Sequence, residues 1–404
     1  MTDEQRQLLA KFQEKIARNA QGWLEFLRSH RDDPATLDRE LSNILRAAQM
    51  ALAEAGAWEA GVALVQDAGL HMERRGHLRA WQRLLEQALR ACAAAADDRP
   101  RLRLQRAALL AQLGEIARTL GDNAAALEHL QAALDLYRSA NDWAGVGKTL
   151  GRLSQVYLAQ ADLDAATTCC EEAAELCAAF APDDLGLVYN NWGLVCLESG
   201  DLGEAAHRLQ QASDAFARTG NRRGQAKALN NLGLVYRRLG LLEDAVLSLQ
   251  QAIELYGQVG DDVHTARTQV NLGVLYHALG RTEAALDLHR QVEPVFRRVG
   301  DRPYQARVAN NEGVFLAALG RLDEAVLAFE LAARLYAEIG DPLGQASALI
   351  NAAEMLLDQG VAADAGERLR RAGEILNTLQ APPDWLRSSW EKQRARWRNI
   401  SGLG

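Results

Sequence analysis

The sequence contains 404 residues, of which 48% are hydrophobic and 6% aromatic, and its formal net charge is -8. Alternating runs of β-branched residues are absent and helix-forming residues are abundant, so we expect an all-α fold. The acidic balance argues against non-specific nucleic-acid binding, and no apolar run reaches the roughly 18 residues that span a bilayer. The five cysteines form no CxxC pair, which favours a cytoplasmic protein.

The first hundred residues, 1–100, are predicted to form an N-terminal helical region. We expect two capping helices near residues 3–19 and 22–30, followed by a break at Asp32-Asp33-Pro34. One or two diverged helix pairs should follow, because apolar residues recur there at helical spacing.

A repeat of about 40 residues covers 101–378. Each unit has a glycine eight residues after its start, where a left-handed residue ends the first helix, and Ala161 is the one exception. Thirteen residues after the start stands an alanine, which lets two helices approach closely. A Gly-Asp or Gly-Asn pair between units should end one helix and cap the next. The seven units start at Leu113, Leu153, Trp192, Leu232, Leu272, Glu312 and Ala352.

This pattern resembles the tetratricopeptide repeat, in a form about six residues longer than the usual 34. The segment LNNLGLVYRRLGLLEDAVLSLQQAIELYGQVGD carries the resemblance most clearly. Similar long repeats occur in kinesin light chains, spindle-orientation adaptors, bacterial peptide-sensing regulators and the sensor arms of STAND-type ATPases. The resemblance implies a right-handed α-solenoid with a concave groove lined by the first helices, and a protein or peptide partner.

The N-terminal third also resembles a known arrangement. Residues 35–90, with expected turns at Gly56 and Gly76, are similar to the helical region that often precedes repeat arrays in STAND-type signalling ATPases. The resemblance is looser than that of the repeats.

The segment Gly145-Val146-Gly147-Lys148-Thr149 imitates the end of a phosphate-binding loop. Such a loop needs a first glycine five residues before Gly147, where this chain has Asp142. The preceding segment has helical rather than strand periodicity. The repeat register instead predicts Asp142 as a helix cap, Gly145 as a recurring turn glycine and Lys148 as a groove residue.

The first helices are expected to present a basic stripe beside a column of asparagines. Asparagine is a poor helix former, and its amide both donates and accepts, so a column of amides suits the backbone of an extended peptide. The stripe would favour acidic side chains. Two alternatives stay open: the asparagines bond neighbouring helices, or the basic residues are solvated or pair with acids of the next helix. The candidate residues are Lys148, Asn191, Lys227, Asn230, Asn231, Arg237, Arg238, Arg267, Asn271, His277, Arg307, Asn310, Asn311 and Asn351.

Catalytic and metal motifs are not found in the sequence. Cys170, Cys177 and Cys196 are expected to be buried thiols, since structural zinc sites prefer tight CxxC spacing. The histidines share no helix face, and neither a nucleophile motif nor HExxH occurs. We therefore expect no enzyme activity, no cofactor and no metal.

The segment 379–404 leaves the repeat pattern after a Pro-Pro break. We predict one helix capped by Asp384, with Trp385, Trp390 and Trp397 among several arginines. It is interpreted as a cap on the last repeat, since exposed solenoid ends need covering. A basic, aromatic docking helix is the alternative.

The function expected from the sequence is that of a cytoplasmic interaction scaffold or sensor that binds an acidic peptide segment. The alternatives are a regulatory subunit or sensor arm associated with a STAND-type signalling ATPase, and a bacterial peptide-pheromone receptor. No nucleic-acid partner and no membrane span are expected.

Overall fold

A computed structural model describes residues 2–30, 33–74, 77–94 and 100–402, and in these ranges the chain is helical without strands. In chain order the elements are α1 (Asp3–Ser29), α2 (Pro34–Ala53), α3 (Trp58–Arg74), α4 (Leu78–Ala94), α5 (Pro100–Thr119), α6 (Asn123–Ser139), α7 (Trp143–Ala159), α8 (Leu163–Phe180), a 3-10 helix (Pro182–Asp184), α9 (Leu185–Ser199), α10 (Leu202–Arg218), α11 (Arg222–Arg238), α12 (Leu242–Gln258), α13 (Asp262–Ala278), α14 (Thr282–Val299), α15 (Arg302–Ala318), α16 (Leu322–Glu338), α17 (Pro342–Asp358), α18 (Ala362–Thr378) and α19 (Asp384–Ser401). The chain divides into two compact units, one ending at Asp201 and the other beginning at Leu202.

The turns and close contacts within the helix pairs of the repeat array involve the residues that the repeat pattern predicts. The predicted turn glycines have a positive φ, and Ala161 takes the same left-handed conformation with a φ of 59°. The alanine thirteen residues after each start is completely buried. These alanines are Ala126, Ala166, Ala205, Ala245, Ala285, Ala325 and Ala365.

A glycine directly after the unit start brings the two helices of a pair together. A Cβ built on Gly233 of α11 would lie 2.8 Å from the Leu249 side chain of α12. In α15 the same position is Gly313, where a Cβ would lie 2.6 Å from Phe329 of α16. Only glycine permits this approach without displacing the core.

The predicted caps between units are present. Asp142 accepts the backbone N–H of Gly145 at 3.0 Å, and Asn221 accepts that of Gly224 at 2.9 Å. Asp261, Asp301 and Asp341 cap α13, α15 and α17 in the same way. Each cap satisfies one of the donors that the first helical turn leaves free.

The N-terminal helices share one core with the first repeat helix, because buried residues of α1 to α4 pack with Leu109 and Leu113 of α5. The prediction of two helices near 3–19 and 22–30 is wrong: α1 is one continuous helix, and Gly22 lies inside it without a break. Asp33 caps α2 by accepting the N–H of Thr36. Asp32 and Gly76, placed at a break and a turn, lie outside the described residues.

The helix α19 packs against α17 and α18. The indole N–H groups of Trp390 and Trp397 donate to the backbone carbonyls of Leu369 and Ala362, at 2.7 and 2.8 Å. These contacts agree with a cap over α18, whereas Trp385 is exposed. The expected Asp384 cap is wrong, because Pro383 occupies the cap position without a side-chain bond.

Candidate functional site

The second unit places α11, α13 and α15 side by side, and most candidate residues lie on these three first helices. They are Lys227, Asn230, Asn231, Arg237 and Arg238 on α11, Arg267, Asn271 and His277 on α13, and Arg307, Asn310 and Asn311 on α15. Asn351 lies on α17, which follows in the same unit. We refer to the surface formed by the α11, α13 and α15 residues as the polar face.

A chain of side-chain hydrogen bonds crosses the polar face. Arg307 donates to Asn271 Oδ1 at 2.7 Å, and Asn271 Nδ2 donates to Asn230 Oδ1 at 3.0 Å. Asn230 Nδ2 approaches Asn231 Oδ1 at 3.4 Å within α11. The asparagines therefore join neighbouring helices, as the structural alternative held, and the same contacts fix their amides in a row.

Positive charge is concentrated beside this row, where the charges of Arg307 and Arg238 act on Arg237. Partial burial, together with the nearby charges of Arg307 and Arg238, lowers the pKa of Arg237. Neither Arg237 nor Arg307 forms an ion pair with a carboxylate of the described residues. Because like charges destabilise each other, an anion beside them would relieve the repulsion.

Arg267 of α13 is held in place by two residues: Asp301, which caps α15, and Tyr304 in the first turn of α15. Its guanidinium forms an ion pair with Asp301 at 2.6 Å and lies over the Tyr304 ring, 4.7 Å from the centroid. Arg307 lies over the same ring at 5.5 Å. Tyr304 thus positions two of the candidate residues, although the sequence analysis did not identify Tyr304 itself as part of the site. A sequence clue exists, because Gly224 and Gly344 occupy the equivalent position in other units.

The remaining side chains of this unit are less tightly bound. The Oδ1 atom of Asn310 and the Nδ2 atom of Asn311 are buried without a hydrogen-bond partner. His277 is 3.2 Å from the Thr282 hydroxyl and contacts the Phe315 ring. Asn351 is half-buried on α17. The unsatisfied amide atoms are a reserve of hydrogen bonds that a ligand can complete.

The two candidates of the first unit have protein partners. Lys148 on α7 pairs with Asp184 at 3.0 Å. Asn191 is buried on α9, donates to the Gly151 carbonyl at 2.7 Å and accepts from Gln155 at 2.7 Å. Asn191 therefore fixes α9 against α7 instead of facing a ligand.

The segment that imitates a phosphate loop lies in the first two turns of α7. Asp142 is its cap, as predicted, but Gly145 is a helical residue and not a turn residue. It is glycine because a side chain there would collide with Tyr137 of α6. The same close approach occurs between Gly224 and Phe216, and between Gly344 and Tyr336.

The five cysteines are buried thiols outside any disulfide, and desolvation raises the pKa of Cys170 to about 12. Such thiols are poor nucleophiles and poor metal ligands. In the described ranges no group of three His, Cys, Asp or Glu side chains is arranged to hold a metal ion. Nor does any helix of those ranges have the length and apolar character required to cross a membrane.

Capped helix pairs stacked through buried alanines and close-approach glycines define a helical-repeat protein with a polar face on its first helices. Four overlapping windows, 105–179, 145–218, 184–258 and 224–298, match the family model described as Tetratricopeptide repeat. The chain therefore contains tetratricopeptide repeats over residues 105–298, in the form with about 40 residues per repeat. No curated protein matches the sequence at a significant level.

Solved structures show the same fold at low sequence identity. The apo quorum sensor NprR from B. thuringiensis is 15% identical, with a TM-score of 0.59 over 78% of this chain and 87% of that chain. A Rap protein complexed with Competence and Sporulation Factor is 14% identical, with a TM-score of 0.54 over 85% and 98%. A Signal Transduction ATPase with Numerous Domains and a tetratricopeptide repeat sensor, from Pyrococcus horikoshii, is 14% identical, with a TM-score of 0.55 over 83% of this chain and 53% of that chain.

Proposed function

We propose that the polar face binds an extended peptide segment with acidic side chains. The observation that carries this proposal is the pair Arg237 and Arg307, two neighbouring guanidinium groups without a carboxylate partner in the described chain. A peptide carboxylate between them would form charge-assisted hydrogen bonds and relieve their repulsion. A tetratricopeptide repeat array acts as an interaction scaffold, so an occupant of this kind suits the fold.

The amide row supports the extended form of the peptide. Asn230 and Asn271 lie on successive first helices and already orient each other. The buried, unpaired atoms of Asn310 and Asn311 continue the row on α15. A strand-like backbone presents alternating N–H and C=O groups, which such amides bind whatever the peptide sequence.

The similar structures support the same kind of ligand. The Rap protein of similar fold is complexed with Competence and Sporulation Factor, and NprR is a quorum sensor. By analogy of fold, this chain would be a receptor or scaffold in signalling, without an activity of its own and acting in the cytoplasm. These three assignments remain predictions.

The test measures binding of labelled peptides to the full chain by fluorescence anisotropy. The peptides are about ten residues long and differ in the number of glutamates that they contain. We expect the glutamate-rich peptides to bind, and their affinity to fall steeply with added salt. Arg237→Glu combined with Arg307→Glu should weaken binding by at least about a hundredfold, since each of the two lost charged contacts is worth roughly 1.5–3 kcal/mol.

A charge-matched control uses arginines of the second helices. Arg298→Glu combined with Arg334→Glu changes net charge by the same amount on α14 and α16, where both side chains are exposed. The control should leave binding unchanged. Equal loss in both double variants would reduce the effect to net charge, and lysine-rich peptides that bind as well as acidic ones would overturn the proposal.

A second candidate function is that of a sensor arm acting with a signalling ATPase on another chain. The observation in favour is the similarity to the STAND protein, where 83% of this chain aligns with 53% of the ATPase chain. Copurification from the native cell with a P-loop ATPase would support this function. Substitutions at exposed positions of α17 to α19, or of α1 to α4, should then abolish the copurification.

A further inference from the structure

Glu312 departs from the repeat register at a position that is otherwise apolar. The equivalent residues Leu232 and Leu272 of the same unit are buried, and so is Ala352. A carboxylate here loses the packing energy of leucine and part of its own hydration. A residue that destabilises its own fold at a defined position is a candidate for a binding role.

The Glu312 side chain lines a half-open cavity of about 430 Å³ between α14, α15 and α16. This volume is in the range of small-molecule sites. Arg290, Arg297 and Arg302 lie around the cavity, and Leu331 and Leu335 of α16 form an apolar wall. The lining thus combines two carboxyl groups, those of Glu312 and Glu293, with a basic rim and an aliphatic surface.

The charged groups around the cavity differ in how firmly they are held. Arg297 is fixed by Glu293 at 2.9 Å on α14. Arg302 donates to Gln305 at 2.9 Å and lies 3.5 Å from Glu338 of α16. Arg290 lies 3.9 Å from Glu324, a loose contact. Arg290 is therefore the side chain of the rim that turns most readily towards a ligand carboxylate.

The carboxyl group of Glu312 has no hydrogen bond or ion pair with any described residue. Burial raises the pKa of Glu312 to about 7, Glu293 contributes to the rise, and the charge of Arg290 offsets part of it. The group therefore exchanges its proton near neutral pH. A ligand ammonium placed against it would favour the charged form.

We infer that this cavity binds a free amino acid with an aliphatic side chain. The ammonium group pairs with Glu312, the carboxylate with Arg290 and Arg302, and the side chain packs on Leu331 and Leu335. The zwitterion matches the lining because it carries both charges within a few bonds of an apolar branch. This site is separate from the polar face, so its occupancy does not depend on the proposed peptide binding.

The experiment is isothermal titration of the full chain with L-leucine, and with two analogues that each lack one charge: 4-methylpentanoate and 3-methylbutylamine. We expect L-leucine to bind and each analogue to bind at least about tenfold more weakly, because each analogue loses the charge-assisted contacts of one end of the zwitterion. Titrations at about pH 6 in buffers of different ionisation enthalpy should show proton release, which should vanish well above pH 7.

Variants decide whether Glu312 is the ammonium site. Glu312→Gln keeps the shape and should reduce leucine affinity by about tenfold or more and abolish the proton release. Glu312→Leu introduces the leucine found in four of the other six units and should abolish binding in a chain that folds at least as well. Asp287→Asn, an exposed carboxylate of α14 outside the cavity, is the control and should change nothing. Failure of a panel of aliphatic amino acids to bind, or full affinity in Glu312→Gln, would overturn the inference.

Discussion

The helix pairs α11–α12 and α15–α16 share one framework and differ in what they add to it. Both begin at a capping side chain and both close through a glycine, Gly233 in one and Gly313 in the other. Among the positions at which the two pairs differ, Gly224 and Leu232 in α11 correspond to Tyr304 and Glu312 in α15. Substitution against an otherwise constant framework therefore marks the positions that carry chemistry.

The largest effect is expected when the glutamate of α15 is introduced at the equivalent position of α11. Leu232 is 1% exposed, so Leu232→Glu buries a carboxylate away from water. We expect the free energy of unfolding to fall by about 4 kcal/mol at pH 8, measured by urea denaturation. A loss below about 1 kcal/mol would show that the two positions tolerate charge alike.

A second test concerns His289, which occupies on α14 the place of Leu249 and Phe329. Burial lowers the pKa of His289 to about 4, against 6.5 for the unperturbed side chain. The unfolded chain therefore takes up the proton first, and stability that is complete above about pH 6.5 is lost as the pH falls towards 4. His289→Phe should remove this loss, about 3 kcal/mol across that window. Superimposable stability–pH curves for wild type and variant would contradict it.

A third test replaces Glu312 of α15 with the leucine that α11 and α13 have at the equivalent position. Burial raises the pKa of Glu312 from 4.5 to about 7, so wild type is penalised as the pH rises through this window. Glu312→Leu should raise the free energy of unfolding by about 2 kcal/mol at pH 8 and by less at pH 4. A gain independent of pH would mean that packing alone, without the charge, explains the difference.

The smallest effect is expected at a turn position where one helix pair has alanine in place of the usual glycine. Ala161 holds the left-handed turn between α7 and α8 that glycine holds in the other pairs. Ala161→Gly should stabilise the chain by about 1 kcal/mol, and the reciprocal Gly121→Ala should destabilise it by a similar amount, both measured by thermal unfolding. A destabilising Ala161→Gly would show that the alanine side chain has a role.

The framework could be predicted from the sequence because it is local. Caps such as Asp261 and turns such as Gly280 depend on residues close in the chain, and repetition averages out errors. The same reasoning divided α1 between residues 19 and 22, since it could not weigh the contacts of a helix with its neighbours. It also assigned Gly145 to a turn, because close helix approach and chain reversal both select glycine.

The candidate site was predicted only as a set of positions, and its role remains a prediction. The bond from Arg307 to Asn271 and the contact of Arg267 with Tyr304 join residues about 36 positions apart, so they depend on the angle between successive first helices. No spacing rule contains that angle. Glu312 was visible in the register, but its cavity depends on side chains from three helices.

The contact of α19 with α18 determines which helix pair it can cover. The indoles of Trp390 and Trp397 lie directly on Gly373 and Gly366, where a Cβ would lie 2.7 and 2.6 Å from the rings. One repeat earlier the corresponding residues of α16 are Ala333 and Val326. A chain shortened by one repeat would therefore present a surface that α19 cannot fit, and two glycines set the length at which this array can be closed.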